Sequence, residues 1–237
     1  MSGKAERVQT IFSTIAPRYD LVNDVMTFGQ ARAWRNKLVR LSGAREGMSV
    51  LDVATGTGDL AIVFKKVTGP SGPVTGVDFC AGMLDFAPAK AQSKNLEVTF
   101  KLGDAMALDF ADSTFDVVSI AYGIRNVTDA AKSIREMARV IKPGGKFMVL
   151  ETGRSTWPVY GQAVDFYCAK IMPVMGGFLS GSKDAYKYLD ASSKDFPYGA
   201  KFVEMLKKEG GFGSVIAHPL MGGVSYIYEC TKPQQLS

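Results

Sequence analysis

Between residues 46 and 152 the sequence alternates short apolar runs with amphipathic stretches, and this alternation limits the possible folds more than any other feature. Five apolar runs have the length of buried strands: 48–53, 74–79, 96–102, 115–121 and 146–150. Helical patterns separate several of them, at about 58–67, from Ala81 onward, and at 130–141, where Pro143-Gly144-Gly145 should end the helix. Strands alternating with helices predict an α/β fold with a doubly wound parallel sheet.

The two ends of the chain have different patterns from this central part. Residues 1–45 are predicted to be helical, with a less regular stretch at 19–24. Residues 158–180 are apolar and aromatic but interrupted by Pro173 and Gly176-Gly177. A helix at about 199–209 and two strand-like runs, 214–217 and 223–230, follow. A hairpin after five parallel strands distinguishes this chain from a plain dinucleotide-binding domain.

Composition excludes several classes of protein. Of the 237 residues, 46% are hydrophobic and 22% are charged, as in ordinary globular proteins. No apolar run approaches the roughly 18 residues that span a bilayer, and the N-terminus lacks the apolar core of a signal peptide, so a cytoplasmic location is expected. Cys80, Cys168 and Cys230 are far apart and His218 is the only histidine. We therefore expect no metal site, disulfide framework or Ser-His-Asp triad.

The net charge of +5 has two interpretations. It can reflect a solvated basic surface, or it can attract an anionic lipid surface, an anionic substrate or nucleic acid. No run of lysines and arginines is interleaved with aromatic residues, so no nucleic-acid partner is predicted.

The sharpest motif is the glycine-rich turn within residues 51–61, between the first predicted strand and helix. Gly56 and Gly58 let the backbone approach a ligand closely, at the edge of the sheet where ligands bind. They also fit the loose dinucleotide pattern, but Asp52 and Asp59 flank the turn and would repel a pyrophosphate. S-adenosylmethionine carries a sulfonium and an ammonium and no phosphate, so these carboxylates favour it. Asp59 has an alternative role in complementing the helix dipole.

Two more aspartates follow the next predicted strands. Asp78 ends the second strand, where a carboxylate can accept both ribose hydroxyls; capping the next helix is the alternative. Asp104, in Gly103-Asp104-Ala105, follows the third strand and could accept a hydrogen bond from an adenine amino group. Its alternative role is in a turn or a helix cap. Acidic residues at three successive strand ends predict a ligand that contains adenosine.

Three further segments carry a resemblance to a known family. They are Tyr19-Asp20-Leu21-Val22-Asn23 with Trp34, Gly123-Ile124-Arg125-Asn126-Val127, and residues 139–145 followed by Glu151. With them, the chain resembles class I S-adenosylmethionine-dependent methyltransferases, and more closely the C-methyltransferases of menaquinone and ubiquinone biosynthesis. The family implies a Rossmann-like, seven-stranded, mostly parallel sheet with an antiparallel last strand, helices on both faces and an N-terminal helical cap.

The resemblance implies donor contacts at Thr57, Asp78, Asp104 and Ala105, and Ala121 at the end of the fourth strand is predicted to join them. It also reveals departures. Family members usually have Met in place of Val22, Ser in place of Thr27, His in place of Ala31 and Ser in place of Gly153. The absent histidine puts the acceptor in question, whereas the donor site is unaffected.

The implied activity is C-methylation of a prenylated quinol, most naturally demethylmenaquinol, with S-adenosylmethionine as cofactor. The choice between a naphthoquinol and a benzoquinol stays open. A methyltransferase for another small apolar or phenolic acceptor, an NAD-dependent oxidoreductase and a non-catalytic binding module are the alternatives. We expect one domain over 1–237, with a cap at 1–45, a donor-binding core at 46–152 and an acceptor cover with the terminal hairpin at 153–237.

Candidate catalytic residues lie at the mouth of the fourth predicted strand and in the N-terminal region. Arg125 and Asn126 are expected near the acceptor, where Arg125 would stabilise a phenolate; a structural turn with a salt bridge is the alternative. Tyr19 could hydrogen-bond the same oxygen or simply pack as an aromatic residue. His218 is expected to be structural. An apolar set could cover a greasy acceptor, dock at an anionic membrane surface, or pack on the sheet: Phe166, Tyr167, Ile171, Met172, Val174, Met175, Phe178 and Leu179. A homodimer is compatible with this interpretation.

Overall fold

A seven-stranded sheet lies at the centre of the computed structural model, which describes residues 3–234. Its strands are β1 (Val50–Val53), β2 (Val74–Asp78), β3 (Thr99–Leu102), β4 (Phe115–Ala121), β5 (Ile141–Thr152), β6 (Ser214–Leu220) and β7 (Ser225–Thr231). The order is β3-β2-β1-β4-β5-β7-β6, and β7 runs antiparallel to both of its neighbours. The predicted fold class, including the antiparallel last strand, is confirmed.

Helices cover both faces of this sheet and extend beyond its edge. Within the described residues they are α1 (Gly3–Ile15), α2 (Tyr19–Met26), α3 (Gln30–Ser42), α4 (Asp59–Thr68), α5 (Ala81–Leu84), α6 (Ala87–Gln92), α7 (Ala130–Val140), α8 (Pro158–Phe166), α9 (Met172–Ser180), α10 (Lys183–Asp195) and α11 (Ala200–Gly210). A π-helical segment, Tyr167–Ile171, joins α8 to α9. None of these helices is long and apolar enough to cross a membrane.

Two hydrophobic cores lie on opposite faces of the sheet. On one face α7 and α11 contribute Ile134 and Phe202. On the other face α3 and α4 contribute Leu38 and Phe64. The central strand β1 is buried along its whole length, which explains its nearly continuous apolar sequence.

Strand β1 pairs in parallel with β2 on one side and with β4 on the other. The chain leaves β1 for β2 in one direction across the sheet and later returns to β4 in the other. The loops after β1 and β4 therefore diverge, and such a switch point opens a crevice at the carboxyl ends of the strands.

The structure corrects several details of the predicted elements. Residues 19–24 lie in α2 and are helical. Helix α7 ends at Val140, and Pro143-Gly144-Gly145 lies inside β5, at an irregularity in its pairing with β4. The prediction that these three residues end the helix was wrong.

The interruptions expected between residues 158 and 180 have other roles. Pro173 occupies the first turn of α9, where a missing backbone N–H is tolerated. Gly176 lies inside α9 against the ring of Tyr186 from α10, and a Cβ there would lie 2.1 Å from that ring. The glycine therefore permits close packing between two helices, of which α10 was not predicted.

The packing of the glycine turn against Phe100 can be tested at Gly58. It precedes α4 with φ of +82°, and a Cβ would lie 2.8 Å from the ring of Phe100. Gly29 precedes α3 with φ of +74°, and no atom lies within 4 Å of the place that its Cβ would occupy. We expect Gly29→Ala to lower the free energy of unfolding by about 1–2 kcal/mol through backbone strain. Gly58→Ala should lose about 1–3 kcal/mol more through overpacking.

Urea unfolding of the two variants and the unchanged chain measures this difference. Equal losses would contradict the packing role of Gly58, because both positions share the left-handed conformation.

Candidate active site

Two cavities lie at the carboxyl ends of the strands. One, of about 410 Å³, is bordered by Asp78 and Asp104 and is called the aspartate cavity here. The other, of about 390 Å³, lies beneath α2, α3 and α8 and is called the cap cavity. Five residues line both cavities and form their shared wall: Tyr19, Ala54, Gly56, Ala121 and Tyr122. Groups bound in the two cavities would therefore meet across this wall.

Asp78 holds the glycine turn and faces the aspartate cavity. Its two carboxylate oxygens accept hydrogen bonds from the backbone N–H of Gly56 at 2.7 Å and of Cys80 at 2.9 Å. Burial raises the pKa of this carboxyl group. Each oxygen keeps a further acceptor site, so the pair can accept the two hydroxyls of a ribose.

Asp104 lies at another edge of the same cavity and is exposed. One carboxylate oxygen accepts a hydrogen bond from the backbone N–H of Met106 at 2.8 Å. Ala105, Met83 and Met106 give this part of the cavity apolar walls. An adenine ring fits such walls, with an Asp104 oxygen able to accept from its amino group.

Asp52 lies outside the aspartate cavity and on the border of the cap cavity. Its carboxylate accepts hydrogen bonds from the hydroxyls of Thr55 and Ser119, both at 2.7 Å. The side chain is buried, and this burial raises its pKa to about 6. Asp52 therefore ties the end of β1 to β4 in this structure.

Two other residues of the glycine turn, Thr57 and Asp59, also contact protein groups through their side chains. The hydroxyl of Thr57 donates to Asp20 at 2.7 Å and accepts from Lys90 at 2.9 Å. Asp59 pairs with Arg35 and Lys90, so its negative charge is compensated within the chain. Gly58 borders neither cavity. The carboxylate of Asp59 is therefore not free to attract a cationic ligand, contrary to what its position beside the turn suggested.

Arg125 lies in a short 3₁₀ turn, Ile124–Asn126, after β4. Its guanidinium is buried, forms an ion pair with Glu151 of β5, and donates to the carbonyl of Tyr122 at 3.0 Å. It also borders the cap cavity. The salt bridge considered as its alternative role is therefore present, and the residue also lines a cavity where a second ligand could bind.

The other two candidate catalytic residues, Asn126 and Tyr19, do not line the same set of cavities as Arg125. Asn126 borders the aspartate cavity, donates to the carbonyl of Tyr122 at 3.2 Å and accepts from the hydroxyl of Tyr188 at 3.3 Å. The structure therefore does not place Asn126 beside Arg125 in the cap cavity. Tyr19 belongs to the shared wall, and burial raises the pKa of its phenol.

Sequence reasoning missed two residues of the shared wall, Ala54 and Tyr122. They follow β1 and β4 with φ of +53° and +55°, an uncommon conformation for residues with a side chain. Gly123 lets these loops touch, because a Cβ there would lie 2.4 Å from that of Ala54. Their position directly after two central strands was the available signal.

Comparison with known proteins identifies the family. The ubiE/COQ5 methyltransferase family matches residues 1–232. The chain belongs to this family. A Bdellovibrio bacteriovorus protein named ubiquinone/menaquinone biosynthesis C-methyltransferase UbiE is 48% identical over 230 residues, 97% of each chain. The Halalkalibacterium halodurans demethylmenaquinone methyltransferase is 41% identical, over 95% of this chain and 92% of its own. The predicted family and methyltransferase activity are confirmed.

Solved structures support the fold. A Thermotoga maritima protein described as a possible histamine N-methyltransferase aligns with a TM-score of 0.64 over 94% of this chain and 98% of its own, at 18% identity. A S-adenosylmethionine-dependent methyltransferase from Aquifex aeolicus gives 0.59 over 83% and 88%, at 19% identity. At such low identity these likenesses concern the architecture alone.

The raised pKa of Asp52 predicts a pH-dependent stability. Its protonated form is favoured by folding, so the stabilisation present below pH 3.8 is lost as the pH rises through about 6. Asn can accept from one of the two hydroxyls through Oδ1 and donate to the other through Nδ2, so it keeps two hydrogen bonds without the buried charge. Asp52→Asn should therefore raise the free energy of unfolding at pH 7 by about 2 kcal/mol, with little gain at pH 4.

Urea unfolding at pH 4, 5, 6 and 7 tests this expectation. Asp109→Asn, at an exposed position, is the matched control and should follow the unchanged chain. A destabilised Asp52→Asn variant at pH 7 would show that the ionised carboxylate is favourable in the fold.

Proposed function

We propose that the chain transfers a methyl group from S-adenosylmethionine to a ring carbon of a prenylated quinol, with demethylmenaquinol as the preferred acceptor. The observation that carries the proposal is the pair of cavities with its shared wall of Tyr19, Ala54, Gly56, Ala121 and Tyr122. Donor and acceptor can each occupy one cavity and meet there. Because both are bound before reaction, correct placement supplies much of the rate enhancement.

The aspartate cavity suits the donor. When bound, S-adenosylmethionine supplies a methyl group that its sulfonium makes electrophilic. Asp78 would hold the ribose and Asp104 the adenine amino group, while Ala105 forms part of the apolar wall. Gly56 and Ala121 border both cavities, and in this proposal they would contact the reactive end of the donor at the shared wall. The contacts predicted for Thr57 and Asp52 are not part of this proposal, because Asp20 and Ser119 engage those side chains.

The cap cavity suits an apolar aromatic acceptor. Its walls include Met26, Trp34, Tyr167 and Met172, from the N-terminal cap and the segment that follows β5. These are the two parts of the chain that were expected to cover the acceptor. The relative from Halalkalibacterium is named for demethylmenaquinone alone, which supports a naphthoquinol ring, whereas the name of the Bdellovibrio relative includes both ubiquinone and menaquinone.

Arg125 is proposed to stabilise the acceptor in its reactive form. A quinol ring carbon becomes nucleophilic when a ring hydroxyl loses its proton, and the guanidinium can donate to the resulting oxygen. The carbon then bonds to the methyl group as the carbon–sulfur bond breaks, and the electron pair of that bond leaves with the sulfur. The ring carbon loses its proton to water, which restores aromaticity. Tyr19 is proposed to hydrogen-bond the acceptor oxygen from the shared wall.

Mass spectrometry of the products tests this function. Purified protein is given S-adenosylmethionine with reduced demethylmenaquinone and, separately, with the corresponding demethylated benzoquinol. We expect a mass gain of one CH₂ unit on the naphthoquinol, and only with the reduced ring. Arg125→Lys keeps the charge but loses the planar fork, and should slow transfer about a hundredfold or more.

Calorimetry should give the same donor affinity for Arg125→Lys as for the unchanged chain. Arg135→Lys, which alters an exposed ion pair with Glu209, is the control for the substitution itself. No methylation of either quinol, with donor binding intact, would refute the proposed acceptor. An unchanged transfer rate in Arg125→Lys would refute the role of Arg125.

The surface beside the cap cavity supports contact with a membrane. Val159, Phe166, Val174 and Phe178 on α8 and α9 are 83%, 61%, 60% and 88% exposed. Positions 159 and 166 lie about two helical turns apart, and 174 and 178 about one turn apart. The π-helical segment between them adds a residue to a turn, so all four return to one side.

Neighbouring residues extend this apolar face and add positive charge. Phe28, 78% exposed, contacts Tyr167 at a ring distance of 6.1 Å. Lys170 and Arg18 are exposed beside it, and Arg18 donates to the carbonyl of Leu179 at 2.8 Å. An apolar face with a basic border fits an anionic lipid surface, in which a prenylated acceptor would dissolve.

Vesicle flotation measures this contact. The chain should float with vesicles that contain an anionic lipid and less with neutral ones. Phe166→Ser/Phe178→Ser should lose most of the floating fraction, because two exposed aromatic anchors are removed. Ile216→Ser, at an exposed apolar position on β6, should behave as the unchanged chain. Undiminished flotation of the double variant would exclude this face as the membrane contact.

A further inference from the structure

The segment Tyr19-Asp20-Leu21-Val22-Asn23 has a charged residue that borders neither cavity. Asp20, in the first turn of α2, accepts a hydrogen bond from the hydroxyl of Thr57 at 2.7 Å and forms an ion pair with Lys90. Thr57 belongs to the glycine turn, and Lys90 to α6. Asp20 thus connects the N-terminal cap to the donor-binding core.

Lys90 is the centre of this connection. Its ammonium contacts Asp20, Asp59 at 2.6 Å and the hydroxyl of Thr57 at 2.9 Å, which accounts for its three donor hydrogens. Asp59 in turn accepts from Arg35 of α3 at 2.8 Å. Two carboxylates and two cations are therefore balanced, and all four side chains are at least half-buried.

The apolar side of α2 is attached elsewhere. Its buried residues, Val22 and Met26, pack in a cluster with Ile15, Ala185 and Tyr186, which belong to α1 and α10. None of these described residues is part of the sheet. In the first turn of α2, Tyr19 also packs against Cys80 and Met83 of the donor-binding core. The polar contacts of Asp20 are the ones that join this turn directly to the glycine turn.

Tyr19 immediately precedes Asp20 and belongs to the shared wall of the two cavities. Its ring packs edge-on against Phe12 of α1 at 6.1 Å. Any shift in the first turn of α2 would move this ring relative to Gly56 and Tyr122 across the wall. A displacement of about 1 Å at a reacting centre can slow a reaction about a hundredfold.

We propose that Lys90 and Asp20 are positioning residues for methyl transfer. Their ion pair holds the first turn of α2 on the glycine turn and fixes Tyr19 at the boundary between donor and acceptor. Neither residue borders either cavity. The kinetic part of this inference rests on the proposed function, whereas the attachment of α2 can be measured without any reaction.

Hydrogen exchange measures that attachment in the chain without ligands. In Lys90→Met, the amides of residues 19–26 should exchange about tenfold faster, because the helix opens locally more often. The amides of β4 and β5 should be unchanged. Lys94→Met removes an exposed lysine just after α6 and should leave both regions unchanged. Lys90→Arg, which keeps the charge, should restore much of the protection of α2.

Single-turnover kinetics measure positioning. Lys90→Met and Asp20→Asn should each slow methyl transfer about ten- to hundredfold at saturating donor and acceptor. The double variant should be no slower than the slower single variant, because both remove the same ion pair. Lys90→Arg should recover part of the rate, and Lys94→Met should not differ from the unchanged chain.

The outcomes separate this inference from the proposed function. Unchanged exchange of residues 19–26 in Lys90→Met would overturn the attachment. Faster exchange with an unchanged transfer rate would overturn the positioning role. If the unchanged chain methylates neither quinol, the proposed acceptor fails, and the exchange experiment still decides whether Lys90 holds α2.

Discussion

The parallel pairing of β1 with both β2 and β4 is the constraint on which the rest of the structure depends. A strand buried on both faces cannot present polar side chains along its length without partners, so binding groups collect where it ends. Asp52 shows the rule, because its buried carboxylate is satisfied by Thr55 from the following turn and Ser119 from β4. Those contacts join β1 to β4 just before the two loops diverge, and the residues at this crevice form the shared wall of both cavities.

This constraint also explains why much of the fold was predictable. Buried parallel strands require apolar runs, and their connecting helices require a different period, so the central pattern appears directly in the sequence. The segment after β5 carries no such signal. Its helices are apolar both on the side of the cap cavity and on the exposed side, so they show no amphipathic period. In the sequence Gly176 resembles a helix break, and its role in helix packing is visible only from the contact with Tyr186 of α10.

The candidate site divides in a similar way. Which strand ends carry acidic residues could be predicted, and Asp78 borders the aspartate cavity as its position after β2 suggested. Which side chains remain free for a ligand could not, because their partners are distant in sequence. Thr57 is engaged by Asp20 and Lys90, 37 and 33 residues away. For Ala54 and Tyr122 the only signal was their position directly after β1 and β4, because their contribution lies in backbone conformation and not in side-chain chemistry.

Charge balance links these observations to the proposed reaction. Two of the cations that border the cap cavity, Arg125 and Arg35, have carboxylate partners, Glu151 and Asp59, whereas the exposed Arg154 has no ion pair among the described residues. An unpaired cation at the shared wall would oppose a sulfonium there, whereas a paired guanidinium still donates directional hydrogen bonds. Transfer from a sulfonium to an ionised quinol removes one positive and one negative charge. An apolar cavity that excludes water favours such a step, since the charged reactants lose hydration that the neutral products do not need. The apolar walls and the paired cations of the cap cavity therefore favour the same transition state.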